Sequence, residues 1–174
     1  GFCMISAFEA TILGFVLNRP SSRYEIMKAF QDTSFYWSGS PGAVYAAIAR
    51  LQKRGLLQEG TSSRTKTYEV TTAGRYSLQE FLKVPIPAAK LLLDPVLLRI
   101  KLRGLDHLSV AERIHFYQAQ IEEIDQAKRI INTKRHLNPQ SKICQQLADL
   151  ALDQINLERE LIDGLLSEAL MNQS

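Results

Sequence analysis

Residues 37–48 read WSGSPGAVYAAI, from Trp37 to Ile48. The stretch starts as a loop and continues as a helix. Ser40 is placed to cap that helix, and Pro41 suits its first position, where a backbone N–H would be unsatisfied anyway. The predicted helix runs to about Arg54, and Gly55 ends it as a left-handed residue. At about 100° per residue, Val44, Ala47, Ile48 and Leu51 share one face and make the core contact. The opposite face holds Gly42, Ala46, Ala49 and Lys53, with Tyr45 and Arg50 on its flanks. Such a face carries no obvious acid, base or nucleophile. It is low enough to approach another backbone closely.

Working outward, residues 5–17 (ISAFEATILGFVL) place Ile5, Phe8, Ile12, Phe15 and Val16 at helical spacing. Asn18-Arg19-Pro20 stops that helix. Ser22 and Glu25 form a capping-box pattern for a second helix over about 23–31, expected to bury Tyr24, Met27 and Phe30 or their neighbours. On the other side, 56–59 and 67–71 read as two short strands joined by the polar turn GTSSRTK. A fourth helix is predicted over about 73–83. Three helices, a two-stranded hairpin and a helix make a winged helix-turn-helix, expected over 4–84.

Val84-Pro85-Ile86-Pro87 reads as a stiff linker. Beyond it, 85–174 is almost all helix and is expected to form a helical dimerisation domain. Asp94-Pro95 starts one helix, which Gly104 closes. Ser109 and Glu112 box the start of a long helix to about His136. Asn138-Pro139 starts the last, running to about Leu170. In the long helix Val110, Ile114, Tyr117, Ile121, Ile124 and Ile131 recur at coiled-coil spacing, and Glu122, Glu123 and Asp125 read as its solvated side. The last helix has two apolar seams: Ile143, Leu147, Leu150, Leu157 and Leu161, and beside them Ala151, Ile155, Ile162, Leu165 and Leu166. Two seams imply two neighbours, the preceding helix and a second subunit. The residues expected at the dimer contact are Ile114, Tyr117, Ile121, Leu147, Leu150, Leu157, Leu161, Ile162 and Leu165. The fold class is mainly α with a small β-hairpin wing.

The chain of 174 residues is 45% hydrophobic and 22% charged, enough for a packed core. Its net charge of +3 is unevenly spread: residues 1–87 carry ten Lys/Arg against six Asp/Glu. Five bases (Arg50, Lys53, Arg54, Arg64, Lys66) stand within 50–66 against one acid, Glu59. A basic cluster on a helix and a hairpin tip steers polyanions. Cys3 and Cys144 match no metal spacing and are expected as reduced thiols in a cytoplasmic protein. His107, His115 and His136 are scattered. Phosphate-loop, zinc-protease and nucleophile-elbow motifs are absent. No catalytic activity, metal or cofactor is expected.

The runs ATILGFVLNRPSSRYEIMKAF, WSGSPGAVYAAIARLQKRGLL and KTYEVTTAG resemble the PadR family of bacterial transcriptional regulators. The resemblance rests on Tyr24-Glu25, on Ser40-Pro41-Gly42 followed by Val44-Tyr45, on Leu51, Gly55 and Leu56, and on Tyr68 and Thr71 through Gly74. It covers about residues 8–83. The second half is similar in layout to the longer, virulence-activator-like members with a helical dimerisation domain. The resemblance implies a homodimer on a pseudo-palindromic operator, usually repressing, with a small apolar effector in some members. Double-stranded DNA is the expected partner. The residues expected to meet it are Ser22, Tyr24, Ser40, Pro41, Gly42, Tyr45, Ala46, Ala49, Arg50, Lys53, Arg64 and Lys66. Phe35-Tyr36-Trp37 reads as an aromatic plug or as part of an effector pocket, with Trp37 its candidate residue. The competing class is a winged-helix module that binds protein without DNA.

Overall fold

The computed structural model describes residues 4–32, 39–60, 65–137 and 139–172. Arg64 and the Phe35-Tyr36-Trp37 run lie outside them, so the hairpin tip and the aromatic plug are not placed. The described chain divides into two compact units, residues 1–82 with 99–107, and residues 83–98 with 108–174.

The first unit begins with α1 (Ala7–Asn18), two residues later than the apolar run suggested. Ser6 and Glu9 cap each other reciprocally there, which fixes the start. The pair β1 (Ser21–Ser22) leads into α2 (Arg23–Gln31), where Ser22 and Glu25 form the expected box. Tyr24 is not buried: it is 61% exposed, and Ile26 takes the inward place beside Phe30. Then α3 (Pro41–Lys53) starts at the Ser40 cap, and Gly55 follows it at φ 68°. The strands β2 (Leu57–Glu59) and β3 (Thr67–Val70) pair antiparallel, as expected of a wing. The sheet has a third member, because Ser21 and Ser22 pair with Tyr68 and Thr67, giving the order β1-β3-β2. Last comes α4 (Thr72–Lys83).

The core of this unit lies under α3. Val44, Ala47, Ile48 and Leu51 are fully buried with Ile12, Leu13, Ile26 and Phe30 around them. Each large member contributes about 1.5–3 kcal/mol by leaving water. Tyr68 is buried too, its hydroxyl accepting a 3.4 Å hydrogen bond from Arg23.

In the second unit α5 (Ala88–Leu93) is a short helix that the linker prolines had concealed, and Asp94 ends it rather than starting the next. The following helix, α6 (Val96–Gly104), runs from this unit into the segment assigned to the first. The long antiparallel pair is α7 (Val110–Leu137) and α8 (Lys142–Met171). The last helix is capped by Ser141, with the Cys144 N–H donating to its hydroxyl; Asn138, expected near its start, lies outside the described residues. Gln120 is fully buried and clamps the linker: its Oε1 accepts from the Ile86 N–H at 2.8 Å and its Nε2 donates to the Ile86 carbonyl at 3.1 Å. Glu123 accepts the Ala88 N–H at 2.7 Å, and Asp125 pairs with Arg159, so neither is a merely solvated acid. Among the described residues no helix is long and apolar enough to cross a membrane.

Candidate nucleic-acid interface

The outer face of α3 is open. Ser40, Pro41, Gly42, Ala46, Ala49 and Lys53 are all exposed, while the inward side is sealed. The Ser40 hydroxyl accepts from the Ala43 N–H at 3.2 Å, and the Ser40 carbonyl accepts from Val44 at 3.1 Å. Pro41 has no N–H, so the first-turn donor left without an intrahelical acceptor is that of Gly42. A helix N-terminus of this kind favours an anion, and here no side chain on Gly42 blocks approach.

The flanks are more engaged than the linear pattern suggests. Tyr45 is half-buried. Its hydroxyl donates to Met27 Sδ at 3.4 Å, and the Arg23 guanidinium lies 5.1 Å from its ring centroid. Arg50 Nε is 3.3 Å from Glu9 Oε1, and Arg54 Nη1 is 3.1 Å from Glu9 Oε2. The same Oε2 accepts from the Ser6 N–H. Glu9 therefore ties the start of α1 to the last turns of α3 while only 5% exposed. Arg50 keeps 57% of its side-chain surface in solvent, so its other N–H groups face water.

Lys66 bridges to Glu59 at 2.5 Å across the wing, and that carboxylate raises its pKa. Arg19 bridges to Glu25 at 3.1 Å. The Ser22 N–H bond to the Glu25 carboxylate lowers that group's pKa. Of the five bases counted within 50–66, Lys53 alone among the described residues combines an exposed position with no ion pair. The basic patch is real in sequence but half neutralised in space. Ser22 sits at the α2 cap and Tyr24 stands out from its first turn. Arg23, between the wing and α3, had not been singled out; its place between Ser22 and Tyr24 was the available signal. Glu9 was also missed, although Ser6-Ala7-Phe8-Glu9 spells the same box as Ser22–Glu25.

The residues expected at a dimer contact fall into two sets. Ile114, Tyr117 and Ile162 are buried within the chain, and Ile121 and Leu165 are half-buried. Leu147, Leu150, Leu157 and Leu161 are 51–67% exposed in one stripe of α8, continued by Ile143. Among the described residues no cluster of His, Cys, Asp or Glu could hold a metal ion.

Residues 12–80 match the model of the transcriptional regulator PadR-like family. No curated protein sequence matches the chain. Among solved structures it is similar to Bacillus subtilis PadR in complex with operator DNA, at 18% identity over 94% of this chain and 99% of that one, with a TM-score of 0.44. It is also similar to the PadR-like transcriptional regulator BC1756 from Bacillus cereus (15% identity, 95% and 99% covered, TM-score 0.41). A third is the Vibrio cholerae virulence activator AphA (20% identity, 95% and 99% covered, TM-score 0.38). The match over residues 12–80 makes the winged part of this chain similar to the PadR-like family of transcriptional regulators.

Proposed function

We propose that the chain binds double-stranded DNA as a cytoplasmic homodimer and represses transcription from a pseudo-palindromic operator, acting by binding rather than catalysis. The observation that carries the reading is the outer face of α3, where Gly42, Ala46 and Ala49 leave clearance for a groove beside a capped helix start. The Gly42 N–H takes a phosphate oxygen. Lys53 and the solvent-facing side of Arg50 take others along the same strand. Alanine methyls meet thymine methyls. With so few hydrogen-bonding groups on that face, sequence choice rests in part on DNA shape and on phosphate positioning. Ser22, Arg23 and Tyr24 at the start of α2 meet the flanking backbone. Lys66 and Arg64 bring the wing to it. The winged region 4–84 holds these contacts, and 85–174 holds the dimer contact through Leu147, Leu150, Leu157 and Leu161.

Fluorescence anisotropy with labelled promoter duplex tests the reading. Log affinity falls linearly with log salt, by about 0.9 per phosphate neutralised, and Lys53→Ala reduces that slope by about one. A salt-independent response, or equal affinity for random duplex, would sink the proposal and favour a protein-binding wing.

A further inference from the structure

The chain enters the second unit at Lys83, the last residue of α4. From there to Ala88 it is attached to α7 at three points. Lys83 Nζ lies 3.0 Å from Glu112 Oε1. The Gln120 amide takes both backbone groups of Ile86, at 2.8 Å and 3.1 Å. The Glu123 carboxylate accepts the Ala88 N–H at 2.7 Å. On α7 the three partners fall within about 80° of one another, so they share a face. The lengths agree as well. Five steps of proline-rich extended chain cover about 16 Å, and eleven residues of helix rise about 16 Å.

Covalent stiffness adds to the attachment. Pro85 and Pro87 fix φ at their own positions and hold Val84 and Ile86, the residues before them, extended. The prolines donate nothing, so residues 84–88 have three backbone N–H groups, at Val84, Ile86 and Ala88. Two of the three go to α7. Ile86 is itself 1% exposed, and Gln120 beside it is fully buried. A buried amide is costly unless its donor and acceptor are both satisfied. Here one planar group meets an N–H and a carbonyl together, as a neighbouring strand would. A carboxylate has no donor for that carbonyl, and a thioether has neither group in strength.

We propose that Gln120 is a positioning residue for operator binding: it splints residues 83–88 to α7, and so fixes the half-site spacing that the dimer accepts. The spacing role rests on the dimeric DNA-binding reading above; the splint does not. A loose joint lets each winged unit follow a displaced half-site. A splinted joint makes the duplex deform instead, and that deformation lowers affinity.

The test compares two labelled duplexes, the promoter and the same promoter with two base pairs inserted at the centre of its pseudo-palindrome. The insertion moves the half-sites about 7 Å apart and turns them by about 70°. The native full-length chain loses about tenfold or more in affinity on the inserted duplex. Gln120→Met binds the parent duplex more weakly and loses less than about threefold on insertion. General damage to the fold would weaken both duplexes by one factor and leave their ratio alone. Glu123→Ala, at a half-buried position that alanine suits, shifts the ratio in the same direction and keeps the proposal refutable if Gln120→Met does not fold. A native ratio in both variants, or a native chain indifferent to the insertion, overturns the spacing role. Hydrogen exchange reads the splint without DNA: the Ile86 amide exchanges about a hundredfold more slowly in the native chain than in Gln120→Met. Equal exchange overturns the splint. A native chain that does not distinguish promoter from random duplex removes the DNA reading and the spacing role with it, while slow Ile86 exchange still upholds the splint.

Discussion

A Cβ added at Gly74 would lie 2.1 Å from the Leu56 carbonyl oxygen and 2.8 Å from a Val70 methyl. The backbone after α3 passes that close because Thr71 joins the two segments. Its hydroxyl donates to the Gly55 carbonyl at 2.6 Å and accepts the Gly74 N–H at 3.0 Å, capping α4. Alanine is ordinarily better than glycine inside a helix by about 1 kcal/mol. Gly74→Ala nevertheless destabilises the chain by about 2–4 kcal/mol in urea unfolding, since backbone must move to admit the methyl. A neutral or stabilising result would show that the wing junction is looser than the 2.1 Å approach implies. The residue scale is also where sequence reading was weakest. Ser40, Pro41 and Gly55 act locally, and their places were legible from the chemistry of helix ends. The Glu9 pairing with Arg50 joins residues 41 apart, which no local pattern reports. Burial of Tyr24 was expected from helical spacing, but Ile26 and Phe30 fill the inward face, and Tyr24 is left outside.

Helix α8 shows what periodicity can and cannot decide. Two apolar stripes were legible because each repeats with the helical turn. Which stripe meets α7 was not, since both are equally apolar. Ile155 and Ile162 go inward, and the Arg159 pair with Asp125 and the Arg135 pair with Asp149 at 2.8 Å lock the same side. The Leu147–Leu161 stripe is left in solvent, interrupted at Gln154. Leu157→Glu places a charge at the middle of that stripe without touching the inward face. It turns the proposed dimer into a monomer in sedimentation velocity at micromolar concentration, while far-ultraviolet dichroism is unchanged. The loss is about 2 kcal/mol or more at each symmetry-related site. An intact dimer would move the contact elsewhere. The two-residue β1 and the short α5 escaped prediction for a different reason. Both are too brief to show a period, and β1 exists only through its pairing with Tyr68 and Thr67.

For the molecule as a whole, Lys101 sets an unusual pH response. It is 4% exposed, donates to the Phe81 carbonyl at 2.5 Å and lies 4.3 Å from that ring's centroid. Its cation faces the last turn of α4, where the helix dipole favours positive charge. Burial still dominates and lowers its pKa to about 8. Between pH 8 and about 10.5 the unfolded chain holds the proton that the folded chain has released, so this group makes stability rise with pH. The gain is at most about 3 kcal/mol. Urea midpoints at pH 7.5 and 9.5 check it: the native chain gains more than Lys101→Met, and equal gains would assign the effect to other groups. Lys101 also marks a feature of the chain's route. The backbone leaves the first compact unit after Leu82, returns at Arg99 and leaves again after His107. The two units are thus interleaved along the chain and not strung in series. Cutting the gene after residue 84 to graft the winged half onto another protein would leave behind Lys101, Gly104 and Leu105, which the first unit contains. A transplantable version must carry residues 99–107 as a second piece, so recombination at a single junction cannot exchange this unit intact.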